Sequence, residues 1–184
     1  MEIYAKKIPA GDKLLEHKVA YALLEQVVGM TFEMPLPEIA RGEHGKPYFP
    51  AYPKMHFNLS HSSGLAVCGI GESPLGVDVE AVRLLRERVL LRSFSTAEQE
   101  LVEKSPYPDE MFFRLWTLKE SYVKALGIGI SYPLQTVCFS LEGDTVVTNL
   151  SGYQFRCYQV DAFVIACCTI SALSETLPES VWLL

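Results

Sequence analysis

The chain has 184 residues and a mass of 20.6 kDa, enough for one well-buried core or two small, closely packed halves, and too few for two ordinary independent domains. Apolar residues at 49% beside 21% charged residues exclude a disordered tail, a collagen-like repeat or a low-complexity linker. A net charge of -6 excludes the broad basic surface that non-specific nucleic-acid binding needs, so any polyanion must be met by a local basic patch.

The five cysteines, Cys68, Cys138, Cys157, Cys167 and Cys168, form no CxxC pair and sit in apolar, strand-like surroundings. That pattern predicts reduced, buried thiols in a cytoplasmic protein. The N-terminus lacks a basic stretch followed by an apolar run, and no segment approaches the ~20 apolar residues of a membrane span, so no membrane partner is expected.

In chain order, residues 2–8 alternate as a first strand, punctuated by Pro9-Ala10-Gly11-Asp12. Residues 13–28 carry Leu14, Val19, Leu23, Leu24, Val27 and Val28 at helical spacing, with Gly29 as the stop. The Pro- and Gly-rich stretch 31–53 reads as loop with short strands around Ile39 and Tyr48-Phe49. Residues 55–59 and 65–70 predict two strands around a polar turn, Ser60-His61-Ser62-Ser63-Gly64, and a short strand follows over 75–79. Residues 81–92 form an Arg-rich helix candidate; Ser95 or Thr96 then caps a helix through Val102, with Glu98 near the capping-box position. The best helix pattern covers 110–126 and ends at Gly127. Runs near 137–141, 145–150, 153–158 and 163–170 predict an antiparallel meander. The runs 57–67 and 155–165 echo each other weakly at a constant offset of 98, either the chance likeness of two strand pairs or a trace of internal duplication.

Three groups of residues could carry chemistry. In Gly76-Val77-Asp78-Val79-Glu80, strand alternation sends Asp78 and Glu80 to one face and the valines to the other. Two neighbouring carboxylates need a cation to stay ionised, and a hard ion such as Mg2+ suits their oxygens; the plainer reading is the wet face of an edge strand. In Trp116-Thr117-Leu118-Lys119-Glu120-Ser121-Tyr122-Val123-Lys124, Glu120 and Lys124 share a helix face. They are either a surface pair worth ~0.3–0.5 kcal/mol, or a third carboxylate with Lys119 and Lys124 as neutralising groups for phosphate. The loops contribute Gly45-Lys46-Pro47 with Arg41 and His44 nearby, and Asn58-Leu59-Ser60-His61-Ser62, donors suited to phosphate recognition or to ordinary turn chemistry. A Ser-His nucleophile is not expected, because adjacent residues on an extended chain point apart.

Together these pieces resemble the 4'-phosphopantetheinyl transferase superfamily, particularly its longer single-chain type related to surfactin-synthetase activators. The family's signature is Gly-hydrophobic-Asp followed some forty residues later by Trp-x-x-Lys-Glu-(Ser or Ala)-x-x-Lys. Here Glu120 follows Asp78 by 42 positions, and Gly45-Lys46-Pro47 and Phe57-Asn58-Leu59-Ser60-His61-Ser62 match two further family motifs upstream.

The resemblance implies an α+β fold of two similar α/β halves related by a pseudo-twofold, residues 1–80 and 81–184, acting as a monomer with its site in the cleft between them. It implies transfer of 4'-phosphopantetheine from coenzyme A to a serine of an acyl- or peptidyl-carrier protein, releasing 3',5'-ADP. Mg2+, or Mn2+ in its place, would be held by Asp78, Glu80 and Glu120, with Glu120, Lys124 and Asp78 as catalytic residues. Coenzyme A would meet Lys46, Ser60, His61, Asp78, Lys119, Lys124 and Arg41. The Arg-rich segment, with Arg83, Arg86, Arg88 and Arg92 beside Val89, Leu90, Leu91 and Phe94, would receive an acidic carrier protein. A catalytically silent coenzyme A or carrier-binding module is the alternative, and the joint presence of three carboxylates counts against it.

Overall fold

The computed structural model describes residues 1–9, 11–129, 132–143, 145–170 and 176–184; Ala10 of the first punctuating run lies outside them. The chain runs β1 (Glu2–Lys7), α1 (Lys13–Phe32), β2 (Ala40–Arg41), β3 (Pro47–Tyr48), β4 (His56–Ser62), β5 (Leu65–Gly71) and β6 (Leu75–Ala81). It continues through α2 (Glu87–Ser93), α3 (Thr96–Lys104), α4 (Pro108–Leu126), β7 (Phe139–Glu142), β8 (Thr145–Thr148), β9 (Tyr153–Val160), β10 (Phe163–Ile170) and β11 (Trp182–Leu183).

The strands form two main sheets, in the orders β11-β1-β5-β4 and β6-β10-β9, and two small hairpins, β2-β3 and β7-β8. One strand–helix–strand–strand pattern is therefore used twice: β1-α1-β4-β5 and β6-α4-β9-β10 place their first, last and middle strands in the same order. The hairpin registers match as well. Phe57 opposes Ile70 and Ser62 opposes Leu65, while Phe155 opposes Cys168 and Val160 opposes Phe163; an offset of 98 carries each pair onto its counterpart. The echo read from the sequence is thus present in the strand pairing. One boundary differs: β6, which the 1–80 division gives to the first half, pairs with β10, so the second sheet begins just after the Glu72-Ser73-Pro74 connection.

Local sequence explains most element ends. The Asp12 side chain accepts from the amides of Leu14 and Leu15 and caps α1. Gly29 does not stop that helix, which continues to Phe32 and ends where Glu33 turns left-handed at φ 52°; buried Val27 and Val28 hold the last turns on the core. β4 runs on through Ser62, so the turn shrinks to Ser63 and Gly64, both with positive φ as a tight hairpin requires. The helix expected over 81–92 is shorter because pairing with β10 keeps the chain extended to Ala81. Pro108 opens α4 and Gly127, at φ 70°, closes it. The four C-terminal runs are not one meander, since β7 and β8 pair with each other and β9 pairs with β10.

The core has three parts. α1 buries Leu23, Leu24 and Val27 against Phe57 and Ile70 of the first sheet. α4 buries Phe112, Leu115 and Leu118 against Val164 and Ala166 of the second, joined by Phe94 and Val102. Between the sheets lie Ile3, Ala5 and Val67 from one and Val77, Val79 and Ile165 from the other. Each buried Leu, Ile, Val or Phe contributes ~1.5–3 kcal/mol. The five cysteines are free thiols. Among the described residues no helix is long and apolar enough to cross a membrane.

Candidate active site

With Val77 and Val79 turned between the sheets, alternation leaves Gly76, Asp78 and Glu80 facing α4. Gly76 sets how close the helix comes: a Cβ there would lie 2.0 Å from the Ser121 carbonyl oxygen and 2.4 Å from the Ala125 amide. No real side chain fits that gap. The missing Cβ therefore lets α4 lie directly on β6 and brings Glu120 and Lys124 to the carboxylates. This is the physical content of the Gly-Val-Asp sequence, and spacing alone did not reveal it.

Asp78 and Lys124 form the centre. Lys124 Nζ donates to Asp78 Oδ1 at 2.6 Å and to Ser60 Oγ at 2.8 Å, and Ser60 Oγ donates to Asp78 Oδ1 at 2.9 Å. Asp78 Oδ2 is buried and, among the described residues, has no hydrogen-bond partner. Burial pushes the Asp78 carboxyl up, against the pull of Lys124. Burial also pushes Glu120 up to about 7, with Asp78 and Glu80 adding to the rise and Lys124 opposing it. These are carboxylates that repel one another, only partly answered by one ammonium.

Glu80 is held differently. Its Oε2 accepts from Ser62 Oγ at 2.8 Å and from Arg83 Nη1 at 2.9 Å, and the Arg83 guanidinium also lies over the Phe113 ring. With Lys124 on Asp78 and Arg83 on Glu80, no three His, Cys, Asp or Glu groups among the described residues gather into a ready-made metal cage. Asp78, Glu80 and Glu120 are neighbours whose charges interact rather than a closed ligand set.

The two sheets meet at this site through side chains. Asn58 Oδ1 accepts from the Val77 amide at 2.9 Å, and Ser60 Oγ accepts from the Val79 amide at 3.3 Å. β4 alternation thus commits Asn58, Ser60 and Ser62 to β6 and turns His61 the other way. Under α1, His61 Nδ1 lies 3.2 Å from Glu16 Oε2, and Glu16 is itself buried. Ser60 and His61, grouped together in the sequence reading, face opposite sides of their strand. Asn58 and Glu16 are members of the site region that the sequence reading left without a role; the alternation of polar residues along β4 was the available signal for Asn58.

Two cavities open beside the carboxylates. One, of about 330 Å³, is lined by His44, Lys46, Asn58, Glu120 and Lys124 among others. The second, of about 640 Å³, is lined by Glu16, His61, Ser62, Glu80, Arg83 and Arg86 among others. Lys46 borders the first, but its ammonium donates to the carbonyl oxygens of Leu75 at 3.0 Å and Ala125 at 2.8 Å. Arg41 lies apart, donating to the Tyr21 hydroxyl and the Gly45 carbonyl and lining a separate groove with His17 and Lys18.

Two expectations are corrected by packing. Lys119 does not face phosphate: it is fully buried, 2.9 Å from Glu98 Oε2, and donates to the carbonyls of Leu134 and Val137. Burial pushes its ammonium down and Glu98 holds it up. Successive helix residues differ by about 100°, so Lys119 and Glu120 serve different faces. Phe94 is no docking surface either, since it is buried against Phe112 and Trp116; Leu90 is buried too, and Arg83 is tied to Glu80. Arg86, Arg88 and Arg92 remain exposed, beside exposed Leu84 and Leu91.

Residues 74–168, which contain the carboxylates, α4 and the second sheet, match the family described as the 4'-phosphopantetheinyl transferase superfamily. A 4'-phosphopantetheinyl transferase of Bacillus subtilis is 35% identical over 137 residues, 73% of this chain, and the match spans 58% of that protein's length. The 4'-phosphopantetheinyl transferase AcpT of Escherichia coli strain K12 is 30% identical over 183 residues, 97% of this chain and 87% of that one. A crystal structure of Thermotoga maritima holo-[acyl-carrier-protein] synthase is similar over 53% of this chain and 62% of that chain, with 22% identity and a TM-score of 0.47. The chain belongs to the 4'-phosphopantetheinyl transferase superfamily, in its longer single-chain type.

Proposed function

We propose that this protein transfers 4'-phosphopantetheine from coenzyme A to a serine hydroxyl of an acyl- or peptidyl-carrier protein. The serine oxygen forms a bond to the phosphorus nearer the pantetheine arm, the bond from that phosphorus to the bridging oxygen breaks, and 3',5'-ADP leaves. The observation that carries this reading is the packing of Glu120 and Lys124 onto Asp78 across Gly76, within the stretch that matches the family.

Each group has a task. Glu120 lines the cavity beside Lys124 and is the group placed to accept the serine proton, directly or through a water. Lys124 offers an ammonium to the charge that grows on the leaving phosphate. Asp78 holds Lys124 and keeps one oxygen, Oδ2, without a partner among the described residues. That orphaned oxygen, and a cluster of carboxylates short of positive charge, fit a hard divalent ion. Mg2+ would be held by Asp78 and Glu120, with Glu80 beside them, and when bound supplies neutralisation of the diphosphate. On the coenzyme A side the reading keeps Ser60, His61 and Arg41 near the cofactor.

The partner reading is narrower than the whole Arg-rich segment. Exposed Arg86, Arg88 and Arg92 with Leu84 and Leu91 suit an acidic carrier protein with a small apolar contact. A monomer in the cytoplasm completes the reading, supported by both units lying in one chain and by five free thiols.

The test is incubation with coenzyme A, Mg2+ and apo carrier proteins of fatty-acid, polyketide and peptide type. Mass spectrometry should register the added arm on at least one, and Glu120→Gln should abolish the gain while the fold survives. No gain on any carrier rejects the proposal.

A further inference from the structure

We infer that Lys46 is a positioning residue for the transfer reaction, a clamp that fixes the end of α4 against the start of β6, and not a donor to a phosphate of coenzyme A. This rests on the function proposed above and deepens it.

Lys46 reaches out of the β2-β3 hairpin, whose turn is closed by the Gly42 amide on the Lys46 carbonyl and by the Arg41 guanidinium on the Gly45 carbonyl. Its ammonium bridges two backbone oxygens from different elements, Leu75 at the start of β6 and Ala125 in the last turn of α4. The Ala125 carbonyl is one of the last four that a helix cannot satisfy by itself, and it lies at the negative end of the helix dipole. Gly127 completes the seat. A Cβ there would lie 2.9 Å from Lys46 Cδ, so this glycine both ends the helix and leaves room for the lysine stem. Burial also pushes the Lys46 ammonium down to about 8.

The two clamped elements are those that carry the site. Asp78 lies three residues beyond Leu75 on β6, and Lys124 and Glu120 lie one and five residues before Ala125 on α4. Gly76 fixes how close the helix lies on the strand, and Lys46 fixes its end. Without the bridge the last turn of α4 is free to lift, taking Lys124 away from Asp78. A misplacement of ~1 Å costs on the order of 100-fold in rate. With both hydrogen bonds directed at backbone, the ammonium borders the cavity without being aimed into it.

The experiment compares wild type, Lys46→Met and Lys46→Arg with two donors, coenzyme A and 3'-dephospho-coenzyme A, at saturating carrier protein. Lys46→Met should lower kcat about tenfold or more with both donors, keep each donor KM within about threefold, and leave the ratio of the two kcat/KM values unchanged. That ratio does not depend on how much of the variant is folded. Lys46→Arg, whose guanidinium can donate to two carbonyls at once, should recover most of kcat. A loss confined to coenzyme A, an unchanged kcat, or an arginine no better than methionine overturns the assignment. Hydrogen exchange supplies a readout that needs no activity: the Gly127 amide, bonded to the Val123 carbonyl at 2.9 Å, should exchange on the order of tenfold faster in Lys46→Met. An inactive wild type rejects the transfer reading; unchanged exchange rejects the clamp.

Discussion

The first strands of the two units occupy the same place in their sheets and carry opposite chemistry. Tyr4 of β1 pairs with Cys68, and Asp78 of β6 pairs with Ala166, so the offset that superposes the hairpins sets Tyr4 against Asp78. By the same register Glu2 corresponds to Gly76 and Lys6 to Glu80. In the first unit the Tyr4 hydroxyl donates to Glu2 and Lys6 reaches Gln26 on α1 in an exposed contact, so the polar groups of that face are paired. In the second, a glycine lets the helix onto the strand, and the two following outward positions are carboxylates. The shared framework fixes where a strand and a helix meet, and one missing side chain with two charges decides which meeting place becomes reactive. The first unit still contributes, because its edge strand supplies Asn58, Ser60 and Ser62 to β6.

Four perturbations bear on this contrast. The largest concerns the buried Glu98–Lys119 pair, an ion pair of the second unit. Glu98→Gln leaves the Lys119 ammonium buried without its counter-charge, and should cost about 3–5 kcal/mol, a drop in Tm on the order of 10 °C measurable by calorimetry. A loss under about 1 kcal/mol would mean that the backbone carbonyls alone hold Lys119. Next, Gly76→Ala forces α4 off β6. Transfer should fall about 100-fold or more and stability by about 1–3 kcal/mol, whereas Glu2→Ala at the matching position should change stability by under about 0.5 kcal/mol. Similar effects at both positions would erase the distinction between the units.

A smaller effect follows from Glu120. Its folded pKa of about 7 lies above the ~4.3 of an unfolded glutamate, so the native state binds the proton more tightly. That contribution to stability is complete below the unfolded value and is lost as pH rises through about 7. Without added metal, wild-type Tm should therefore fall more than that of Glu120→Gln between pH 5 and 8, and the variant should be the more stable at pH 8. Parallel profiles would show that another group titrates there. The smallest effect lies in the insertion that the second unit carries between its first strand and its helix, where α2 and α3 lie. Reversing Arg86 and Arg88 to Glu should raise KM for an acidic carrier protein on the order of tenfold and leave coenzyme A KM within about twofold; equal loss in both would remove the docking face.

Much of the second unit was legible because its signals are local. The α4 pattern, Ser95 with Glu98, and the Gly127 stop each depend on neighbours within a turn or two, and all three took the forms their sequences predict. The hairpin echo was also readable, since register is set by alternation and a tight turn. Lys119 and Phe94 were not. Lys119 lies in a signature block and Phe94 beside the Arg-rich segment, and each is claimed by groups distant in sequence: Lys119 by Glu98 and by the carbonyls of Leu134 and Val137, Phe94 by Phe112 and Trp116. Arg83 was likewise drawn inward by Glu80 and Phe113.

The amino-acid sequence by itself determined most helices and strands, through periodicity, and the family, through motif blocks in order. The α+β class followed from that resemblance, which also singled out Asp78, Glu80, Glu120 and Lys124 as candidates, and the echo at offset 98 was a hint of duplication. Only the tertiary structure decided which cation faces which carboxylate, why residue 76 is glycine, and that Lys46 holds two backbone carbonyls. Those outcomes depend on the direction and distance of side chains from separate elements, and long-range packing, unlike periodicity, is not written in any single stretch of chain.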